Sequence, residues 1–200
     1  MTAPGRPDLL ALLGSRICHD LISPLGAIGN GLELLGMQAG RAGTELALIS
    51  DSVADANARI RFFRIAFGAA SAGQMTSPGD LADVLGTCFR TGRIALTHQL
   101  PEHIPRTDAK LMLLLVLCLE TALPRGGEIS LTGRNGAWRL RAEGAPLNPQ
   151  PCLWDMLNAP TRAPEITAAE IQFALLPEAA RQAGRALRVD FTDNAIELAC

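Results

Sequence analysis

In the stretch "RICHDLISPLGAIGNGLELL" (residues 16–35), a histidine stands next to an acid and five residues before a helix breaker. Histidine 19 can offer a free ring nitrogen as a nucleophile near neutral pH. The adjacent Asp20 is placed to hold the imidazole in one tautomer, leaving the other nitrogen free. Ser23 lies about one helical turn further on, within reach of a group attached to that ring. Pro24 has no N–H to donate to the carbonyl of Asp20, so the helix can bend beside the histidine. His19, Asp20 and Ser23 are therefore the candidate catalytic residues.

The surrounding helix positions this set. Cys18, Leu21, Leu25, Ile28, Leu32 and Leu35 recur at spacings of 3, 4, 3, 4 and 3, the seam of a helical bundle. At 100° per residue the centre of that seam falls about 150° from His19, which therefore points away from it. Leu12, Arg16, Ser23, Gly26 and Asn30 share its face, and Ile22 sits at the edge. With Pro24 beside it, this face is expected to receive a partner: Leu12, Arg16, Ile22, Pro24, Gly26 and Asn30 are the candidate contacts. Gly26 and Gly29 would let another protein approach closely. An exposed imidazole excludes no water and is unsuited to hydrolysis in a pocket. It suits a macromolecular donor that docks over it, and phosphoryl transfer fits because that chemistry needs positioning more than covalent machinery.

A second helix repeats the pattern through Leu46, Ile49, Val53, Ala56, Ile60, Phe63, Phe67 and Ala70. The short "QAGRAGTE" connection implies an antiparallel hairpin. Apolar residues off the stripe (Leu10, Leu13, Ile17, Leu48, Phe62, Ile65) call for a second layer. A second copy of the hairpin would supply it as a two-fold four-helix bundle; coverage by the C-terminal half is the alternative.

"SAGQMTSPGD" (residues 71–80) reads as a linker, dividing the chain into residues 1–73 and 74–200. Beyond it come a helix over Asp80–Thr91, a strand in "RIALTHQL", and an apolar helix over Asp108–Leu123 with Asp108 as its cap. A hairpin around Asn135-Gly136, a helix over Thr167–Ala183 containing Pro177, and two short closing strands follow. The fold class is α+β: a dimerising helical hairpin followed by a small α/β sandwich. Trp138 and Trp154 are expected to be packing residues, and Cys18, on the seam, to be buried.

Composition narrows the function. A net charge of −2 and the lack of a basic run argue against nucleic acid as a target. Five cysteines without a C-x-x-C pair suit reduced thiols in a cytosol rather than disulfides or zinc. The start of the chain lacks the features of a signal peptide. The longest apolar run, Leu111–Leu119, is far short of the roughly 20 residues of a membrane span. A cytoplasmic protein without a membrane anchor is expected.

The segment "HDLISPLGAIGNGLELL" resembles the phospho-acceptor helix of sensor histidine kinases. It is more similar still to ChpT-type histidine phosphotransferases of alphaproteobacteria, which carry H-D-L-x-[SN]-P-[LV]-x-A-I. The order of hairpin, linker and α/β domain extends the resemblance across the chain. It implies a homodimer and a histidine-kinase-like C-terminal domain. It also implies a phosphoryl relay from the receiver domain of a hybrid histidine kinase to response regulators. The Mg²⁺ would arrive with the receiver, and the chain itself would need no cofactor and hold no metal.

The same comparison argues against an ATP-dependent kinase. In "LMLLLVLCLETALPRGGEISL", Cys118 stands where kinases place an Mg²⁺-holding Asn, and a thiol is a poor ligand for a hard cation. Ala142 in "RAEGAPLN" stands near the adenine-reading Asp, and residues 159–175 contain no glycine to wrap a triphosphate. Glu120 is expected to be a helix-surface carboxylate. The rival to the relay is a non-catalytic dimeric adaptor docking on receivers or kinases; a divergent active kinase is a third possibility.

Overall fold

The computed structural model describes residues 8–37, 42–71, 73–134, 136–144, 146–158 and 166–200. Two long helices open the chain, α1 (Leu9–Met37) and α2 (Ala42–Ala66), packed against each other as a hairpin. Residues 38–41 of the expected connection, and Asn135 of the expected turn, lie outside the described residues. Asp8 accepts hydrogen bonds from the backbone N–H groups of Leu10 and Ala11 at 3.1 Å each, capping the otherwise unpaired donors of α1. Pro24 sits inside α1, and helical structure continues on both sides of it.

The second half is an α/β sandwich. Its elements are β1 (Met75–Thr76), α3 (Pro78–Cys88), β2 (Ile94–Gln99), β3 (Ile104–Pro105) and α4 (Arg106–Ala122). Then come β4 (Gly127–Arg134), β5 (Ala137–Glu143), α5 (Pro151–Asn158), α6 (Ile171–Ala183), β6 (Arg188–Phe191) and β7 (Ala195–Ala199). Five strands form one sheet in the order β2-β4-β5-β7-β6, with only the β2–β4 pair parallel. One face packs on helices. The other carries a polar row in register, Thr97, Ser130, Arg141, Glu197 and Asp190, where Arg141 pairs with Glu143 and Glu197.

Helix α4 is the centre of the core. Leu111 through Leu119 are buried on every side, because α2 and α6 cover the helix away from the sheet. Phe62 and Ile65 of α2 belong to the same core, and Ile17 of α1 packs against it. The C-terminal half therefore covers Ile17, Phe62 and Ile65, while Leu10 and Leu48 of the same off-stripe set stay exposed. Part of the heptad stripe stays open: Leu25, Leu32, Leu46, Val53 and Ile60 are 41–58% exposed, while Ala56 and Phe63 are buried. Cys18, on the same stripe, is also exposed in the single chain.

Two local expectations change. The segment after α2 contains β1, which pairs antiparallel with β3 and clips the connection to the start of α4. Asp108 is not the cap of α4, whose first turn begins earlier, after Pro105. It is buried instead, and its carboxylate accepts from Trp138 Nε1 at 3.0 Å and from an Arg185 terminal nitrogen at 2.7 Å.

Candidate active site

His19 stands about three turns into α1, and its side chain is 86% exposed. Its Nδ1 lies 3.1 Å from Asp20 Oδ1. A carboxylate only accepts, so this bond puts the proton on Nδ1 and leaves Nε2 with a free lone pair. Asp20 is itself only 14% exposed, and its other oxygen accepts from Arg16 Nε at 2.9 Å across one turn of the helix.

Arg16 is where the structure departs most from expectation. It is 13% exposed rather than presented to a visitor. One terminal nitrogen donates to the carbonyl of Ala169 at 3.0 Å, and the other lies 3.9 Å from Glu120 Oε2. The carbonyl of Ala169 is held in a 3-10 turn (Ala168–Glu170) that precedes α6. A capping box closes this turn, with Glu170 bonded to the Thr167 N–H at 2.8 Å. The same carbonyl accepts from Gln172, which also donates to Thr121 of α4 at 2.9 Å. Arg16 thus joins α1 to the C-terminal half.

Glu120 is not a free surface carboxylate. It lines a groove of about 560 Å³ between α1 and the C-terminal half with Arg16, His19, Asp20 and Arg93, and its side chain is 32% exposed. Its Oε2 is buried and makes no hydrogen bond. Burial pushes its carboxyl above the usual range, and Arg59 and Arg16 pull the other way. Glu120 has a sequence signal: it is the acid that ends an apolar run of nine residues, where the turn of α4 leaves the core. Its partners on α1 and α2 have none, since they lie far away in the chain.

The expected partner contacts divide in two. Ile22, Ser23, Gly26 and Asn30 are exposed, and Pro24 is half-buried beside them. A Cβ on Gly26 or Gly29 would meet nothing within 4 Å, so the hairpin itself does not require glycine there. Leu12 is half-buried and packs against the core, away from any visitor. Further along α1 a second recess of about 320 Å³ is lined by Asp20, Ser23, Pro24, Asp55, Arg59 and Cys88. Asp20 lines both recesses, and His19 lines the first.

Cys118 is fully buried, and burial raises its thiol well above its usual range, so it presents nothing to a cation. Among the described residues, no three His, Cys, Asp or Glu side chains cluster as metal ligands. No described helix is long and apolar enough to cross a membrane.

The family model for the histidine phosphotransferase C-terminal domain matches residues 78–195. The chain belongs to the histidine phosphotransferase family. It is 43% identical over 145 residues to the protein phosphotransferase ChpT of Brucella abortus (strain 2308), covering 72% of this chain. The match spans 65% of that relative's length. A solved structure of a bacterial phosphotransferase superposes with a TM-score of 0.76 at 35% identity, covering 99% of this chain and 98% of that one. The family assignment through residues 78–195 and the motif around His19 lie in different halves of the chain and agree.

Proposed function

We propose that this histidine phosphotransferase relays a phosphoryl group from a phospho-aspartate on one receiver domain to a response regulator through His19, without binding ATP. The observation that carries this is the exposed His19 ring whose Nδ1 is engaged by Asp20. The Nε2 lone pair attacks the phosphorus of the acyl phosphate. The N–P bond forms as the bond from phosphorus to the aspartyl oxygen breaks, and that electron pair stays on the departing carboxylate. The ring keeps its Nδ1 proton and becomes cationic, with the Asp20 carboxylate against it to offset the charge. A second receiver carboxylate reverses the step. Mg²⁺ is expected with the receiver.

Residues 1–73 are read as the dimerisation and phosphotransfer domain, and residues 74–200 as a degenerate ATPase-like scaffold. The half-open stripe of Leu25, Leu32, Leu46, Val53 and Ile60 supports pairing with a second copy as a four-helix bundle. Ile22, Ser23, Pro24, Gly26 and Asn30 then form the surface offered to a receiver of a hybrid kinase or to a response regulator. Buried Cys118 supports the loss of nucleotide chemistry. A cytoplasmic location suits such partners.

The test is transfer of label from a phosphorylated receiver to wild type and to His19→Gln. Wild type takes the label and the variant does not, while both still bind the receiver. Labelling that persists in the variant refutes the relay, and binding without transfer in wild type favours the adaptor.

A further inference from the structure

We infer that Arg16 and Glu120 are positioning residues for the His19 reaction, so that the C-terminal half sets the tautomer of a histidine it does not touch. The inference rests on the relay reading for its consequence in transfer, but its geometry stands on its own.

The chain of contacts is short. His19 Nδ1 meets Asp20 Oδ1 at 3.1 Å, and Asp20 Oδ2 meets Arg16 Nε at 2.9 Å. Asp20 can face the imidazole with one oxygen only while the other is held, since a free carboxylate on a helix rotates among several rotamers. Arg16 does the holding. Its planar fork uses Nε for Asp20, one terminal nitrogen for the Ala169 carbonyl, and turns the other toward Glu120 at 3.9 Å. A lysine has one nitrogen and cannot span these three directions.

Glu120 explains why the guanidinium faces inward. A free arginine next to an exposed phosphate-accepting ring would gain hydration by swinging out, and would then leave Asp20 for the anionic phosphoryl group. A buried carboxylate oxygen with no hydrogen-bond partner supplies the opposing attraction. Burying that oxygen is costly, and no contact within α4 repays it, so its place under Arg16 is hard to explain by packing alone. The other charges facing Glu120 are Arg59 of α2, Arg93 of the segment before β2, and Asp20. Because Arg16 holds α1 to the turn before α6, motion of the C-terminal half off α1 would release Asp20.

The experiment uses the full-length chain. The His19 ring nitrogens are followed by ¹⁵N NMR, without receiver, in wild type, Arg16→Lys and Glu120→Gln. In wild type the neutral ring carries its proton on Nδ1. In both variants the population shifts toward the Nε2–H form that a free imidazole favours. With a phosphorylated receiver at saturation, single-turnover labelling slows about tenfold to a hundredfold, as expected when a reacting group loses its orientation. Receiver affinity is unchanged. An unmoved tautomer in Glu120→Gln, or a loss confined to receiver affinity in Arg16→Lys, overturns the inference. If Arg16→Lys does not fold, Glu120→Gln decides alone. A wild type that takes no phosphate refutes the relay, whereas the tautomer measurement still tests the positioning.

Discussion

Trp138 donates its indole Nε1–H to Asp108 Oδ2 at 3.0 Å, joining strand β5 to the first turn of α4 inside the C-terminal half. Asp108 is 4% exposed, and Arg185, after α6, completes its coordination at 2.7 Å. Arg185 also donates to the carbonyl of Gly136 in the β4–β5 turn. One carboxylate thus gathers a helix, a strand, a turn and the segment between α6 and β6.

Removing that carboxylate strands a buried indole donor and leaves the half-buried Arg185 without its partner. Asp108→Ala should lose about 1–3 kcal/mol of stability, the usual cost of leaving a buried donor without a partner. That is a large part of a total of about 5–15 kcal/mol. Changing both partners, Asp108→Leu with Arg185→Met, should recover most of the loss. Chemical denaturation of the three proteins checks this; equal losses in the single and double variants would show that the carboxylate is not a shared hub.

Thiol reactivity should sort the five cysteines by environment. Cys18 and Cys152 are exposed. Burial pushes the thiols of Cys88 and Cys200 up to about 11 and raises that of Cys118 well above its usual value. The thiolate is the reactive form, so near pH 8 the last three should react slowly with a disulfide reagent, and faster only as pH nears their raised values. Cys18 should be fast in dilute protein and protected in concentrated protein, because pairing of the stripe covers it. Mass mapping of the labelled sites against concentration gives the answer.

Periodicity made much of this legible. The 3-4 spacing along α1 and α2 reports a helix face directly, so the hairpin and the outward direction of His19 follow from residue order. The β4–β5 hairpin followed from its turn dipeptide and flanking alternation. What escaped were relations between distant residues. Phe62 and Ile65 are covered by a core that no local pattern around them announces. Asp108 looks like a cap because its partners lie 30 and 77 positions away. Arg16 and Leu12 share a helix face with His19, but a face near the core is only partly free. Which part is lost depends on where the C-terminal half docks.

The open stripe gives a direct test of pairing. Burying a leucine removes about 1.5–3 kcal/mol of exposure cost, and two-fold symmetry counts each substitution twice. Leu32→Glu should therefore weaken self-association by about a hundredfold or more, converting 3–6 kcal/mol through roughly 1.4 kcal/mol per tenfold. Analytical ultracentrifugation across a concentration series measures this. A wild type that stays monomeric, or a variant that dimerises as wild type does, would require another cover for Leu25, Leu32 and Val53.

Glu120 should trade stability for function. Its carboxyl holds its proton more tightly in the folded chain than in the unfolded one, where the ordinary value is 4.5, because burial outweighs the pull of Arg59 and Arg16. Below the unfolded value both states are protonated and no penalty arises. As pH rises through that value the unfolded chain ionises first, and folding loses stability until the folded group has ionised too. Glu120→Gln removes this cost, so at neutral pH the variant should melt higher than wild type, and the gap should close as pH falls below about 4.5. The same variant should transfer phosphate more slowly. A residue whose replacement stabilises the fold and slows the reaction is there for the reaction. Thermal melts at several pH values, beside single-turnover labelling, measure both sides. A destabilised variant, or a gap that does not change with pH, would mean that the ion pair with Arg16 more than offsets the burial.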